Sequence, residues 1–506
     1  MKPDMNRRDF LKLAGMLPLG LLGSKVNKSL KLQSDKKNVI IVVFDAFSAY
    51  NMSLYGYARE TTPNISKLAE RAIVYHNHHA GSNFTTSGTA SILTGTLPWT
   101  HRALQPNGTV SEDFIDRNIF SVFNEYYRIS YSHNEWVNTF FNQFSRHIDE
   151  WVPKDDLFLP SSDALMQKIF KNDKDVSSVS WVRNVKINEE GQAYSLFLSR
   201  IISFIESSYL SRYRSQYPRG LPTARADNGF ILSDAIDWLA QRMTAIQKPM
   251  FGYFHFLPPH DPYRPERKFA GHFRNDGYQP LNKPRDLFTN EEVDLFFHRT
   301  NYDEFVLNVD YEFGRLFEFM ESSGLLENTL LVLTSDHGEM FERGIKGHMT
   351  NALYQPVINV PLLIFDPAVN ARVDIYDTTS MVDLLPTVAN WAGIKIPDWS
   401  SGILLPPYRQ SSNESERSIF SVRSHDTAHN DLLKMASTTV IKGHYKLHYY
   451  FGYSELGGKD LVKLYDVKND PEEMNDLSQL EMDIANEMLG ELKTKLEEVN
   501  KPYTGS

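Results

Sequence analysis

The chain has 506 residues, 41% of them hydrophobic and 12% aromatic, which is enough apolar material for one large core or two domains. Its formal net charge of −10 is modest for this length and supplies no basic face, so nucleic acid is not expected as a partner. The sequence contains no cysteine, which excludes a disulfide framework.

The N-terminus has the pattern of an export signal. Arg7 and Arg8 precede an apolar stretch at residues 13–22, as in a twin-arginine signal. The stretch is too short for a transmembrane helix, and residues 22–25 make only a fair cleavage site, so membrane association through an uncleaved N-terminal segment stays open. We expect export by the twin-arginine (Tat) machinery to the periplasm or cell surface. The alternative is an amphipathic helix with a chance arginine pair.

Strand and helix patterns alternate after a polar linker at residues 25–37. Apolar runs predict strands at residues 39–44 and 73–76, with a helix at residues 64–71 between them. This alternation predicts an α/β fold with a mostly parallel sheet and helices on both faces. Residues 155–227 are less regular, and we interpret them as a helical insertion with surface loops.

The regular pattern returns in the second half of the chain. Strands are predicted at residues 250–256 and 331–334, with an amphipathic helix at residues 302–322 between them. Beyond about residue 418 the sequence changes to short strands, such as residues 444–450, and it ends in a charged helix at residues 481–500. These changes predict a signal and linker at residues 1–37, a catalytic domain at residues 38–415 and a smaller C-terminal subdomain at residues 416–506.

Two of the predicted strands end in side chains that bind metals. Asp45 follows the first strand, and Asp336 with His337 follows the strand at residues 331–334. In open α/β sheets the carboxyl ends of the strands are where ligands bind, so these side chains are expected at one edge. A single Asp at a strand end is often a helix N-cap or a turn residue. Two such ends together favour a divalent metal site.

A hydroxyl-rich segment lies between those strands. The run Thr85-Thr86-Ser87-Gly88-Thr89 leads into an apolar helical segment that ends at Thr94-Gly95. A helix start of this kind can place a hydroxyl beside a metal and bind anionic oxygens with its backbone N–H groups. The plainer interpretation is an N-cap with additional hydroxyls.

With these motifs the chain resembles the sulfatase family of the alkaline phosphatase superfamily. That family's signature is Cys or Ser-x-Pro-Ser-Arg followed, about four residues later, by Thr-Gly, and counting back from Thr94-Gly95 places Thr85 at the nucleophile position. Further matches occur in the family's order: Asp45, Pro98 with His101, Pro259-His260, Ser335-Asp336-His337-Gly338, Val360-Pro361-Leu362, Asp383-Leu384-Leu385-Pro386-Thr387 and Leu464-Tyr465-Asp466. The resemblance implies an alkaline-phosphatase-like fold.

The departures from the family pattern carry functional information. Sulfatases oxidise Cys or Ser to formylglycine, but Thr85 cannot give that aldehyde because its β-carbon carries a methyl group. The family's Arg position holds Thr89, and its Gly-Lys-x-His segment is replaced by residues 133–136. Ala46 stands at the second Asp of the usual Asp-Asp pair, and His337 stands at the usual Asn. No formylglycine is therefore expected.

The remaining set resembles the metal and nucleophile residues of phosphoethanolamine transferases, lipoteichoic acid synthases and nucleotide pyrophosphatases. This implies one divalent metal ion bound by Asp45, Thr85, Asp336 and His337, with Thr85 as the nucleophile. Mixed nitrogen and oxygen ligands favour Zn²⁺ or Mn²⁺, and Ca²⁺ and Mg²⁺ stay open. A threonyl ester must be resolved by attack at its central atom, which is usual for phosphoryl groups and difficult for sulfuryl groups. Phosphoryl chemistry is therefore favoured.

Two histidines are candidates for protonating the leaving group or binding its oxygens, because imidazole donates near neutral pH. His260 matches a substrate-contacting His of the family, whereas His348 rests only on its spacing after Asp336. Lys346 could bind an anion, although an exposed lysine needs no such role. His255 is interpreted as a packed core residue rather than a ligand.

The leading hypothesis is an exported, metal-dependent hydrolase or transferase of phosphate esters, diesters above all, that acts through Thr85 on a small-molecule, glycan or lipid substrate. A second hypothesis is a true sulfatase that activates Thr85 or a neighbouring hydroxyl without an aldehyde. A third is a non-catalytic module that keeps the fold in order to bind glycans or envelope components.

Overall fold

The computed structural model describes residues 36–159, 204–205, 207–224, 228–246, 249–289, 293–409, 417–424 and 426–504. The predicted export signal lies outside the described residues, as does most of the predicted insertion at residues 155–227. The strands, in chain order, are β1 Asn38–Phe44, β2 Ile73–His79, β3 Tyr127–Ser132, β4 Glu150–Trp151, β5 Met250–Phe256, β6 Thr329–Thr334, β7 Phe341–Glu342, β8 Ile345–Lys346, β9 Leu362–Phe365, β10 Val373–Ser380, β11 Ile419–Arg423, β12 Ala436–Lys442, β13 Tyr445–Phe451 and β14 Leu461–Asp466.

The main sheet has eight strands in the order β10-β2-β9-β6-β1-β5-β3-β4. Every pairing in it is parallel except those that β9 makes with β2 and β6, which confirms the prediction of a mostly parallel sheet. Strand β1 lies between β5 and β6, with Val43 opposite both His255 and Thr334. This register aligns the carboxyl ends of the three strands.

Strand β1 is apolar from Val39 to Phe44 because both faces of the sheet are covered. Ile40, Val42 and Phe44 pack into the core on one face, while the alternate residues of the strand pack into the core on the other. The helices that cover the faces or flank the sheet are Pro63–Leu68, Thr85–Thr94, Pro98–His101, Ile119–Val122, Glu135–Gln143, Leu232–Ala245, Leu295–Ser322, Gln355–Ile358 and Leu384–Trp391.

Two predicted elements are longer in the structure than the sequence suggested. The strand predicted at residues 73–76 continues to His79, because its polar second half pairs with β10. The helix predicted at residues 302–322 begins at Leu295, where the side chain of Asp294 caps it by accepting a hydrogen bond from Phe297 N at 2.9 Å.

Strands β11 to β14 form a separate antiparallel sheet, and the helix Met482–Asn500 covers it. Leu447, Leu464 and Leu492 belong to its apolar core. The described residues from Lys36 onward belong to one compact unit, and the division at residue 415 stays a prediction. No helix among the described residues is both long enough and apolar enough to span a bilayer.

Candidate metal and nucleophile site

The carboxyl ends of β1, β5 and β6 bring four buried polar side chains together. Asp45 follows β1, His255 lies in β5, and Asp336 with His337 follows β6; all four are 0% exposed. His337 Nε2 lies 3.4 Å from Asp45 Oδ1 and 3.6 Å from Asp336 Oδ2. His255 Nε2 lies 3.3 Å from Asp45 Oδ2 and 3.8 Å from Asp336 Oδ2. The predicted convergence of the two strand ends is therefore present in the structure.

His255 is buried, as expected of a packed core residue, and it also lies beside the carboxylates of the site. Its ring is buried, but Nε2 faces the carboxylates, and donor atoms of Asp45, His255 and Asp336 lie within 4.8 Å of one another. Tyr253 contacts the other ring nitrogen, with its hydroxyl 3.3 Å from His255 Nδ1. A polar residue near the carboxyl end of an otherwise apolar strand was the available signal. That signal could not be interpreted from the sequence alone, because His255 reaches Asp45 only if β5 is the neighbour of β1.

Thr85 is the first residue of the helix Thr85–Thr94, and its Oγ1 lies 3.2 Å from His337 Nε2. The N-cap position belongs to Phe84, which makes no side-chain cap, so the plainer interpretation of Thr85 as a capping residue does not hold. A Cβ on Gly88 would lie 2.2 Å from the carbonyl oxygen of Asp336. Only glycine permits this approach, which holds the start of the helix against the end of β6.

The site places two carboxylates, those of Asp45 and Asp336, close together and away from solvent. Burial raises the pKa of Asp45, but the neighbouring imidazoles of His255 and His337 hold that pKa well below its ordinary value. Burial, followed by repulsion from Asp45, raises the pKa of Asp336. Burial opposes protonation of His337, yet the charges of Asp336 and Asp45 raise its pKa to about 9. A cation is the natural partner for such a site.

The residues present fit a divalent metal ion. Asp45 Oδ1 is buried and accepts no hydrogen bond from the described residues, which leaves it available as a ligand. Two carboxylates and one or two imidazoles are a donor set typical of Zn²⁺ or Mn²⁺. Asp45, Asp336 and His337 would hold the ion, with His255 and the Thr85 hydroxyl beside them.

Both predicted histidines lie next to this cluster. The ring of His348 is 4.3 Å from that of His337 and 4.9 Å from that of His260, centroid to centroid. His348 Nδ1 lies 3.0 Å from Oε1 of the buried Glu339, and His260 Nδ1 donates to the carbonyl oxygen of Asp261 at 2.7 Å. Sequence reasoning missed Glu339, whose position two residues after His337 carries no chemical signal by itself.

Lys346 lies further out, where its Nζ is 3.3 Å from Asp261 Oδ1. It therefore makes an ion pair beside His260. An anion-binding role for Lys346 stays a prediction.

Three positions that depart from the sulfatase pattern also line the site. Ala46 adopts a φ of 58°, in the left-handed region, and directs its N–H towards Asp336 Oδ1 at 3.4 Å. Thr89 Oγ1 donates to Asp336 Oδ2 at 3.3 Å, and Asn134 Nδ2 donates to Asp45 Oδ2 at 2.6 Å. These residues hold the two carboxylates in place.

Comparisons with known proteins agree with this architecture. Human arylsulfatase K is 20% identical over 493 residues, which cover 93% of this chain and 84% of that protein. The crystal structure of a phosphonate monoester hydrolase of Agrobacterium radiobacter superposes with a TM-score of 0.64 at 17% identity and covers 92% of this chain and 96% of that one. A protein whose structure was solved in complex with its substrate D-glucosamine-2-N,6-O-disulfate superposes with a TM-score of 0.61 at 18% identity. The match covers 92% of this chain and 98% of that one.

Family models match both parts of the chain. The model described as N-sulphoglucosamine sulphohydrolase, C-terminal, matches residues 348–502. The model described as Sulfatase matches residues 37–394, which include every residue of the site. The chain belongs to the sulfatase family of ester hydrolases.

Proposed function

We propose that this protein is an exported, metal-dependent hydrolase of phosphate esters, diesters above all, with Thr85 as its nucleophile. The observation that carries the proposal is the position of the Thr85 hydroxyl, 3.2 Å from His337 and beside two buried carboxylates. Small-molecule, glycan and lipid esters are all open as substrates, and an alcohol in place of water as the acceptor would make the enzyme a transferase.

The identity of residue 85 favours phosphorus over sulfur. A threonine cannot be oxidised to an aldehyde, so a group transferred to its oxygen must leave by a second attack at the central atom. Phosphorus accepts such an attack readily when a cation is close by. The phosphonate monoester hydrolase similar to this chain indicates that the fold accommodates esters of phosphorus.

The protein's own residues can act as nucleophile, general acid and anion-binding groups in this reaction. Thr85 Oγ1 attacks phosphorus and forms the new P–O bond, while the bond to the leaving alkoxide breaks. His260 or His348 protonates that alkoxide, and water then attacks phosphorus to release Thr85 and a phosphate monoester. The first N–H groups of the helix Thr85–Thr94 lack intrahelical acceptors, as at any helix start, and in this reaction they would bind anionic oxygens of the substrate. A divalent ion at the site supplies Lewis acidity and favours ionisation of the hydroxyl.

The second candidate function is hydrolysis of sulfate esters. Membership of the sulfatase family favours it, as do the relatives named arylsulfatase. Thr85 would then have to act without an aldehyde, by attack at sulfur. The two functions share the site and differ in the atom that is attacked.

Kinetics on matched substrates test the proposal. Aryl phosphate diesters and aryl sulfate monoesters with the same leaving group are compared for the wild type and for Thr85→Ala, after metal analysis. We expect a higher kcat/KM on the diesters and loss of this activity in the variant. A strong preference for sulfate esters would establish the second candidate, and absence of turnover on any ester would point to the binding module.

The proposed location rests on Arg7 and Arg8 with the apolar stretch that follows them. Replacing both arginines by lysine should keep the protein in the cytoplasm if the twin-arginine machinery exports it. Fractionation of cells that express the wild type and the double variant checks this, and equal export of the two would contradict it.

A further inference from the structure

Asn134 joins the metal site to a neighbouring helix. Its Nδ2 donates to Asp45 Oδ2 at 2.6 Å, and its Oδ1 accepts from the backbone N–H of Trp136 at 2.9 Å, which caps the helix Glu135–Gln143. A backbone N–H can only donate, so the amide oxygen must face Trp136 and the amide nitrogen must face Asp45. The direction of the hydrogen bond to Asp45 is therefore fixed by the helix.

The backbone of Asn134 is held as firmly as its side chain. Its N–H donates to Ser132 Oγ at 2.9 Å, and its carbonyl oxygen accepts from Asn138 Nδ2 at 2.8 Å. Asn138 also donates to the carbonyl oxygen of Ser132 at 3.0 Å, at the end of β3. The residue is thus anchored to both the strand and the helix, and its amide oxygen is held by Trp136 N.

The two oxygens of Asp45 consequently differ. Oδ2 accepts the short hydrogen bond from Asn134 and also lies 3.3 Å from His255 Nε2. Oδ1 is buried without a hydrogen-bond donor among the described residues and lies 3.4 Å from His337 Nε2. The Thr89 hydroxyl makes a similar but longer hydrogen bond to the other carboxylate, with Oγ1 3.3 Å from Asp336 Oδ2. Asn134 and Thr89 are neutral donors, so neither cancels the negative charge of the carboxylate that it binds. Both carboxylates therefore remain able to bind a cation.

We propose that Asn134 is a positioning residue of the metal site, which binds Asp45 Oδ2 and so presents Oδ1 to the ion. This inference rests on the proposed metal dependence of the enzyme. Second-sphere donors of this kind orient a ligand before the ion arrives, and their loss typically weakens metal affinity by about 10- to 100-fold.

The substitution Asn134→Ser tests the role because it separates capping from positioning. Serine is also a good N-cap, but its hydroxyl is too short to reach Asp45 while capping Trp136. Asn118→Ser is the matched control: Asn118 is a buried asparagine that caps the helix Ile119–Val122 through Ser121 N at 3.0 Å, away from the site. Both variants are prepared metal-free and titrated with Zn²⁺ and Co²⁺, and the visible spectrum of each Co²⁺ form is recorded.

Asn134→Ser should bind both ions about 10- to 100-fold more weakly than the wild type and change the Co²⁺ spectrum, while Asn118→Ser should match the wild type. The two metal-free variants should melt at similar temperatures. Unchanged affinity in Asn134→Ser, or an equal loss in Asn118→Ser, overturns the positioning role while the proposed function stands. A wild type that binds neither ion overturns both.

Discussion

Thr85 Oγ1 lies 3.2 Å from Nε2 of His337, although the two residues are 252 positions apart in the chain. The contact exists because the helix that begins at Thr85 packs at Gly88 against the end of β6. A hydroxyl at the positive end of a helix is thereby held beside two buried carboxylates. This arrangement suits a nucleophile that must attack an anionic ester.

Thr85→Ala should remove the nucleophile without removing the metal ligands contributed by carboxylate and imidazole. We expect turnover to fall by about 10⁴-fold or more, with metal content retained. Thr94→Ala is the matched control, since Thr94 ends the same helix and its hydroxyl donates to Ala90 O at 2.7 Å. Steady-state kinetics with metal analysis checks both variants. Turnover that survives in Thr85→Ala would contradict the assignment.

His255→Ala should weaken metal binding, because Nε2 of His255 faces both Asp45 and Asp336. Tyr253→Phe removes only the hydroxyl near the other ring nitrogen and should have a smaller effect. Titration of the metal-free proteins with Zn²⁺ measures the two affinities. If His255→Ala binds the ion like the wild type, His255 serves packing alone.

Metal affinity should rise with pH. The pKa of His337 is raised to about 9, so near neutral pH a metal must displace a proton from this ring. Release of one proton makes the apparent affinity about tenfold stronger for each pH unit up to that value, above which this contribution levels off. Titrations at pH 6, 7 and 8 in non-coordinating buffers measure the slope. An affinity independent of pH would exclude His337 as a ligand.

His260→Ala and His348→Ala should slow the reaction most for esters with poor leaving groups. A general acid typically contributes about 10²- to 10⁴-fold, and a good leaving group such as p-nitrophenolate needs little of that help. The dependence of kcat/KM on the pKa of the leaving group should therefore steepen in the variant that lacks the acid. His272→Ala, at an exposed histidine, provides the control. Unchanged slopes in both variants would leave these histidines with a binding role.

Gly88→Ala should destabilise the protein, since the added Cβ would lie 2.2 Å from the carbonyl oxygen of Asp336. Overpacking of this kind costs about 1–3 kcal/mol. Gly490→Ala, in the helix Met482–Asn500, places its Cβ in open space and should be neutral or slightly stabilising. Urea unfolding measures both free energies. A neutral Gly88→Ala would show that the helix can move away from β6.

The sequence predicted those parts of the site that lie on strong local patterns. Asp45, Asp336 and His337 end apolar strands, and Thr85 starts a helix whose end is marked by Thr94-Gly95, so each could be placed without knowing which strands are neighbours. The family resemblance supplied the order of these motifs and the fold, which the structure confirms.

His255 and Asn134 could not be assigned in this way. Both reach Asp45 because β5 lies between β1 and β3, a neighbourhood that links distant segments of the chain. A histidine in an apolar strand and an asparagine at a helix start each have a common structural explanation, and only the strand order and register separate function from packing. The export signal depends only on a local sequence pattern, the arginine pair and the apolar stretch after it, and it stays a prediction.

If Thr85 is the nucleophile, it carries the transferred group during turnover. Mass spectrometry with peptide mapping after brief incubation with phosphate diesters and sulfate monoesters tests it, with accurate mass separating the two adducts and Thr85→Ala as the blank. With phosphate diesters we predict an adduct on the peptide that contains Thr85, absent from the variant, whose mass is that of a phosphoryl group still carrying the alcohol that has not left. A sulfate adduct on that peptide would contradict the assignment to phosphate esters, and turnover of the diesters by Thr85→Ala would contradict the role of Thr85 itself.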